Sequence, residues 1–426
     1  MKRKFLARMI SFLLLISIVF TFAGCDTLYA FVPELCPHNI NVYWDKNSNE
    51  HWFICATCGY EGQNQTHTFT ESEDGESVCS VCEYVKVKAK GNISFHFMML
   101  GNNNAGDSVY VKAGENDILI DAGSRENSID DIKNYIDQYV TDGTLEYVIA
   151  THGDQDHIAG FAKENGSIFD LYECGVIIDF PKTTKNSQTY NRYLSERNAE
   201  VALGAKHYTA LECYNEQNGA QRVYELTDDG SVKMEVLYNY FYENTTKDEN
   251  DYSVCVQFTH GDRKFLFTGD LEKEGEEHLV ELNKLSEVEL FKAGHHGSPT
   301  SSNDCLLNVI KPKICVVCCC AGSVEYTDNL ANTFPSQAFV DRIAPFTKFV
   351  YAPITTDIVL KDDKGTTDTS DDDYSNADEY KIMNGNIVVV SDEVGGVSVN
   401  CSHSDTLLKD TEWFKVYRKT PSAWMN

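Results

Sequence analysis

Four side chains able to hold a metal ion stand within six positions of one another: His152, Asp154, Asp156 and His157, in the run Thr151-His-Gly-Asp-Gln-Asp-His-Ile-Ala-Gly160. The run follows Leu145-Glu-Tyr-Val-Ile-Ala150, an apolar stretch that reads as a buried strand. A strand that ends in a short loop gives rigid support, and the loop can gather side chains around an ion. Hydrolytic metal chemistry suits such a loop. The competing reading is a solvated acidic turn that happens to carry two histidines. Four ligand types so closely spaced, and closed by small residues, argue against it.

Two later stretches have the same form. Tyr252-Ser-Val-Cys-Val-Gln-Phe258 and Lys264-Phe-Leu-Phe-Thr268 read as a hairpin turning at His260-Gly-Asp262, and the second strand ends in Gly269-Asp270. A carboxylate has two oxygens and can span two cations roughly 3.5–4 Å apart. Val288-Glu-Leu-Phe-Lys292 reads as a strand that runs into Ala293-Gly-His-His-Gly-Ser298. Alone, Gly-Asp is a common turn and a histidine pair is an ordinary loop feature. Their order along the chain gives them weight.

The segment from His152 to His157 resembles the first metal motif of the metallo-β-lactamase superfamily, H-x-H-x-D-H, with Asp154 in place of the second histidine. The H-x-D-x-D-H form looks most like the ComEC-type branch, the hydrolase domain attached to bacterial DNA-uptake channels and its free-standing relatives. His295-His-Gly-Ser298 is similar to that branch's most specific signature, and the glycine turn before the strand ending in Ile120-Asp-Ala-Gly123 is similar to its start. The resemblance covers roughly residues 91–400. It implies an α/β fold, a four-layered αββα sandwich, and a metal-dependent hydrolase. His152, Asp154 and Asp270 would form one metal site, and Asp156, His157, Asp270 and His296 the other, with Asp270 bridging. His296 rather than His295 is implied as the last ligand. His295 would then face the substrate, where an imidazole can donate to an oxyanion or act as an acid. Asp156 would also orient the attacking water, whose proton is lost to the metals. The implied cofactor is Zn2+, one or two ions; the hard oxygen at Asp154 makes Mn2+ an alternative. His207 is the one histidine where the superfamily would place a separate third ligand, but its neighbours form no motif and it reads as a surface residue.

By analogy with the family the substrate is a phosphoester or phosphodiester. The chain carries 65 acidic and 36 basic residues, a net charge of −29, and such a field repels polyanions. A small ester or short nucleic acid is therefore expected, with no strong case for duplex DNA. Other readings are an extracellular nuclease for DNA uptake, or a non-catalytic surface-binding lipoprotein that works through its cysteine-rich module.

The elements that must position these residues alternate between strand and helix over residues 91–402, which argues for a layered α/β domain. Phe95–Leu100 reads as a strand, and Ser108–Lys112 and Asp117–Asp121 as a hairpin. A helix follows over Ser128–Val140, with Ser128 and Asp131 at capping-box spacing. Gly175–Asp179 reads as a strand, Ser187–Leu203 as a helix, and Asn386–Val390 with Gly396–Cys401 as a closing hairpin. Cys318, Cys319 and Cys320 alternate between strand faces and cannot converge on one ion, so they read as buried hydrophobes. An acidic insertion at 361–380 reads as solvated, and 403–426 as a C-terminal tail. No internal repeat is evident.

Residues 1–24 read as a signal peptide, with Lys2, Arg3, Lys4 and Arg8 ahead of an apolar run, Met9 to Phe22, that is short for a membrane span. Phe22-Ala-Gly-Cys25 resembles a lipobox, which implies lipidation of Cys25 and a place on the outer face of a bacterial membrane. An ordinary signal peptide or a retained anchor is the alternative. A linker at 25–35 leads to a cysteine- and histidine-rich module at 36–88. Cys55-x2-Cys58 and Cys79-x2-Cys82 form a zinc-ribbon-like pattern with His38, His51 and His67 among them. Together with Trp44 and Trp52, the spacing from His51 to Cys55 looks similar to small repeat modules of bacterial surface proteins. A structural Zn2+ on the four cysteines, or two disulfides, would staple a segment too short to bury a sufficient core.

Overall fold

A computed structural model describes residues 42–46, 50–56, 58, 60–71, 77–83, 85–86 and 92–425, other than 103, 105, 229, 262, 328, 330–331, 363–372 and 393–395. The signal peptide, Cys25 and His38 lie outside the described residues. The chain divides into two compact units, Met1–Lys88 and Ala89–Asn426.

The larger unit is built on two sheets. One has eight strands in the order Lys206–Thr209, Glu173–Asp179, Thr144–Ile149, Asn116–Ile120, Val109–Ala113, Ile93–Phe97, Ile387–Asp392 and Gly396–Cys401. The other has seven: Val223–Glu225, Val232–Val236, Val256–His260, Arg263–Phe267, Leu290–Lys292, Ile314–Val316 and Val350–Tyr351. Successive side chains of a strand point to opposite faces, and the sequence uses both. Phe265 and Phe267 enter the core between the sheets. Leu266 points the other way, into a second core built with Leu279, Leu306, Ile310 and Phe339 of the helices Lys273–Leu282, Asp304–Ile310 and Gln337–Ile343. On the facing sheet Ile93, Phe95 and Phe97 point inward. His96 turns outward, with Nδ1 2.7 Å from the Tyr135 hydroxyl on helix Ser128–Ile136. The layers are thus helix, sheet, sheet and helix, the αββα sandwich expected of the sequence.

Phe95 sits at the centre of the inter-sheet core, its ring 5.4, 4.7 and 5.5 Å from those of Phe258, Phe265 and Phe267. Neighbours on both sheets cannot close the void left by a smaller side chain. Phe95→Ala is expected to cost about 3–5 kcal/mol in denaturant unfolding, with little change in the site geometry.

Four segments differ from the sequence reading. No strand begins at Tyr252. Glu249–Tyr252 is a 3-10 turn, started by the Asp248 carboxylate, which accepts from Asn250 N at 3.2 Å; the strand starts at Val256. Cys318, Cys319 and Cys320 do not share one strand: Ile314–Val316 ends before them, and Cys320–Ala321 leaves the large sheet to pair with Ile354–Asp362. Within the acidic insertion, Asp373–Ile382 is a strand paired antiparallel with Ile354–Asp362, so backbone pairing holds a segment whose composition signals solvent. The C-terminal segment is packed, not a loose tail. Helix Glu412–Tyr417 and Trp424 bury Trp413, Phe414 and Trp424 in the second core, and Trp424 Nε1 donates to Thr347 O at 2.8 Å. Cys318, Cys319 and Cys320 are buried as expected.

The smaller unit holds two three-stranded sheets: Val42–Lys46, Glu50–Cys55 and Gln65–Thr66, then Phe69–Glu71, Ser77–Cys79 and Val85–Lys86.

Candidate metal centre

Three strand ends bring their loops together. Thr144–Ile149 lies between Asn116–Ile120 and Glu173–Asp179 in the parallel part of its sheet, and its end delivers Thr151 and His152. The short helix Gln155–Ile158 then presents Asp156 and His157. From the other sheet, Arg263–Phe267 delivers Asp270 and Leu290–Lys292 delivers His295 and His296. Val254 N donates to Thr151 O at 2.8 Å, which pins the two sheets where the loops meet, and on the side of the seven-stranded sheet Asp270 N donates to Ser253 Oγ at 3.0 Å. Gly269 has φ +54°, and a Cβ there would lie 2.7 Å from Ser253 Oγ and 3.0 Å from Thr151 Cβ. Only glycine fits this turn, and that lets Asp270 reach the centre.

The donor atoms converge. His152, His157 and Asp270 each offer an atom within 4.8 Å of the others, as do Asp156, His157 and His296. Asp270 Oδ2 is 3.1 Å from His157 Nε2 and 3.2 Å from His296 Nε2, so one oxygen is shared between the two groups. His152, His157 and His296 are fully buried. The Nε2 atoms of His152 and His296 have no aligned hydrogen-bond partner, although His296 Nε2 lies 3.3 Å from Asp156 Oδ2. Nitrogens that crowd carboxylate oxygens without bonding to them are arranged as ligands are around an ion.

Behind the ligand atoms stand groups that orient them. Asp121 Oδ2 lies 2.7 Å from His157 Nδ1 and accepts from Thr151 Oγ1 at 2.8 Å, while Oδ1 accepts from Thr151 N at 2.8 Å. Cys318 O lies 2.7 Å from His296 Nδ1. These contacts leave each Nε2 facing the centre, the arrangement typical of metal-ligating histidines. His295 and His296 both have left-handed backbone, φ +44° and +52°, a sparsely populated region for non-glycine residues that recurs at functional sites.

Electrostatics point the same way. Among the described residues, Asp107, Asp121, Asp154, Asp156 and Asp270 are matched by the ammonium groups of Lys185 and Lys292 alone. With neutral imidazoles, five carboxylates against two cations leave a surplus of three negative charges, which a buried site does not tolerate uncompensated. In the metal-free protein the histidines answer this charge. Burial would lower His157 and His296, but Asp270 and its neighbours raise both well above the usual imidazole range. Burial would likewise raise Asp270, yet His157, His296 and Lys292 hold it well below the usual carboxylate range. A divalent ion supplies the same positive charge without protonating the donors.

The sequence-derived set is brought together with two exceptions. Asp154 joins neither ligand group. It is half-exposed, one oxygen pairs with Lys185, and the other is 3.5 Å from His152 Nε2. Asp154→Ala is accordingly expected to keep bound metal and to lose only about 10–100-fold in activity, which elemental analysis beside an activity assay checks. His295 is half-buried and turns to Glu272, its Nδ1 3.1 Å from Oε1. His207 is no ligand in these groups; its Nε2 lies 2.8 Å from Asp179 Oδ1, beside Arg197. Sequence reasoning gave no role to Asp107, Asp121, Lys185, Lys292 or Tyr326. Asp121 and Lys292 each stand at a strand end beside a motif, and that position was the available signal. Asp107, Lys185 and Tyr326 arrive from loops, and nothing local marks them.

Residues 101–164 and 245–321 match the sequence model of the metallo-beta-lactamase superfamily, and they contain all three loops of the centre. Relatives include "ComE operon protein 3" of Bacillus subtilis (strain 168), 25% identical over 173 residues, 41% of this chain and 20% of that protein. "Competence protein ComA" of Neisseria gonorrhoeae is 39% identical over 106 residues, 24% of this chain and 14% of that protein. The matched segments and these relatives support a metallo-β-lactamase fold of the ComEC-like type. The chain spans a fifth or less of the length of these curated relatives. Among solved structures, the metallo-beta-lactamase fold protein YhfI from Bacillus subtilis aligns at 13% identity and TM-score 0.30, over 59% of this chain and 81% of that one. Human tRNase Z, short form, aligns at 12% identity and TM-score 0.31, over 61% and 91%. The fold implies a divalent metal, and the buried His and Asp donors of this chain fit one. Among the described residues no helix is long and apolar enough to cross a membrane.

Proposed function

We propose that this protein is a metal-dependent hydrolase of a small phosphoester or phosphodiester, acting outside the cytoplasmic membrane and held there through Cys25. The observation that carries the reading is the convergence of the buried His157 and His296 Nε2 atoms on one oxygen of Asp270, with the buried His152 Nε2 in the same group and without an aligned hydrogen-bond partner. A divalent ion bound there, Zn2+ or Mn2+, supplies Lewis acidity and a water of low pKa. The chain's own residues do the rest. Asp156 Oδ2 lies at the edge of the centre, beside His296 Nε2, and accepts from the Tyr326 hydroxyl, so it can hold a water in line with the reacting phosphorus. His295, tied to Glu272 and Thr300, is half-exposed at the rim and can donate to a developing negative oxygen.

A cleft of about 460 Å³ adjoins the centre at Tyr326 and Ser298, with Phe334 in its wall. The Phe334 ring lies 5.3 Å from Tyr326 and 5.7 Å from His295. Its size and aromatic wall suit a small ester with an apolar or planar group, and the net charge of −29 disfavours long polyanions. The test is hydrolysis of bis-p-nitrophenyl phosphate, p-nitrophenyl phosphate and a short oligonucleotide, after chelation and after return of Zn2+ or Mn2+. Metal-restored cleavage of the diester is expected. Hydrolysis unaffected by chelation, or confined to a β-lactam substrate, would overturn the reading.

A further inference from the structure

A second constellation lies in the smaller unit, and it is not the four-cysteine set that the spacing predicts. His51, His67, Cys79 and Cys82 each offer a donor atom within 4.8 Å of the others. Cys55 and Cys58 are not in that group, and Cys79 forms no disulfide. His51 Nδ1 is 3.2 Å from His67 Nδ1 and 3.7 Å from Cys79 Sγ, and His67 Nδ1 is 3.4 Å from Cys82 Sγ. His51, Cys79 and Cys82 are buried.

Those distances decide between hydrogen bonding and metal binding. A tetrahedral zinc ion with bonds of about 2.0–2.1 Å to nitrogen and about 2.3 Å to sulfur sets two nitrogens about 3.3 Å apart and a nitrogen and a sulfur about 3.6 Å apart. The observed separations straddle these values. A ring nitrogen has one in-plane direction along which it donates or accepts. His51 Nδ1 has both His67 Nδ1 and Cys79 Sγ in range, and cannot aim at both. A single ion at the centre of the four atoms satisfies every donor at once.

The positions of the donors give the ion a structural task. His51 lies on strand Glu50–Cys55 of one sheet, and Cys79 ends strand Ser77–Cys79 of the other. His67 stands in the link between the sheets, and Cys82 in the turn after Cys79. Trp44 edges the His51 ring at 4.8 Å and Phe69 the His67 ring at 5.4 Å, which walls the donors with apolar rings.

We infer that His51, His67, Cys79 and Cys82 form a closed His2Cys2 zinc site that clamps the two small sheets together. It is independent of the hydrolase centre, where no cysteine belongs to either ligand group. The full-length protein is loaded with cobalt(II), and thiolate-to-cobalt charge transfer in the near ultraviolet is recorded beside zinc content by native mass spectrometry. His51→Ala, His67→Ala and Cys79→Ser are each expected to lose one zinc per chain and to weaken the charge-transfer band. His51→Cys serves as the second variant, because it folds only if position 51 can still bind the ion. It is expected to keep the zinc and to strengthen the band by adding a thiolate. Wild-type zinc content and band in His51→Ala and His67→Ala, or an unchanged band in His51→Cys, would overturn the inference in favour of a site made from cysteines alone.

Discussion

Asp270→Ala is expected to lose bound metal and hydrolysis together, by more than the roughly 100-fold that marks the upper range for a supporting group. Its Oδ2 is the one carboxylate oxygen close to both His157 Nε2 and His296 Nε2. Removing it takes a ligand from each half of the centre, and two cations would then face one another with less charge between them. Oδ1 accepts from His295 N at 3.2 Å and from Lys292 Nζ at 3.2 Å, so the turn that presents the histidine pair also loses an anchor. Asp154→Ala is the control, because Asp154 stands outside both ligand groups and is already paired with Lys185. Metal content by elemental analysis, read beside phosphodiester hydrolysis, separates the two variants. A fully metallated and active Asp270→Ala protein would mean that the centre is assigned to the wrong residues.

The strength of the sequence reading followed the range of each interaction. Thr151–Gly160, Gly269-Asp270 and His295-His296 each follow an apolar strand, and strand ends of one sandwich meet because the two sheets pack face to face. Side-chain type and strand-end position are local, so His152, Asp156, His157, Asp270 and His296 were legible as candidate ligands, and their donor atoms lie together. Compensation of charge is not local. Lys185 pairs with Asp154 from 31 positions away, and Tyr326 donates to Asp156 across 170 positions. No spacing rule reaches so far. In the smaller unit the two C-x2-C pairs assigned the expected zinc to four cysteines, with His51 and His67 only among them, while the chain placed Cys79 and Cys82 with these two histidines. Register explains the difference: His51 pairs with Gln65, which brings the following His67 alongside it, and only strand pairing reveals that neighbourhood. The C-terminal segment lies beyond the motifs, and its packing through Trp413, Phe414 and Trp424 is a long-range contact that no local pattern marks.

Lys292→Met is expected to destabilise the metal-free protein by about 3–5 kcal/mol, the usual consequence of breaking a buried ion pair from one side. Lys292 is almost fully buried, donates to Gly269 O at 3.1 Å and Asp270 Oδ1 at 3.2 Å, and pairs with Asp107. Burial alone would lower its ammonium, yet Asp107 and Asp270 hold it well above the usual lysine range, so it is charged in the folded state. Methionine keeps the length of the stem and fills the space, but leaves Asp107 and Asp270 without their fixed cation. With the lysine gone the ion meets these carboxylates without a competing cation, so the variant is expected to bind it more tightly, and a bound ion stabilises the folded state by RT ln(1 + [L]/Kd), about 2.7 kcal/mol at a hundredfold excess over Kd. The loss should therefore be larger in chelator than in saturating Zn2+ or Mn2+. Denaturant unfolding of wild type and variant under both conditions measures the two differences. Equal losses with and without metal would show that Lys292 does not alter binding of the ion. A smaller loss with metal would mean that the lysine and the ion compete for the same carboxylates, whereas a larger loss with metal would mean that Lys292 holds Asp270 ready for the ion.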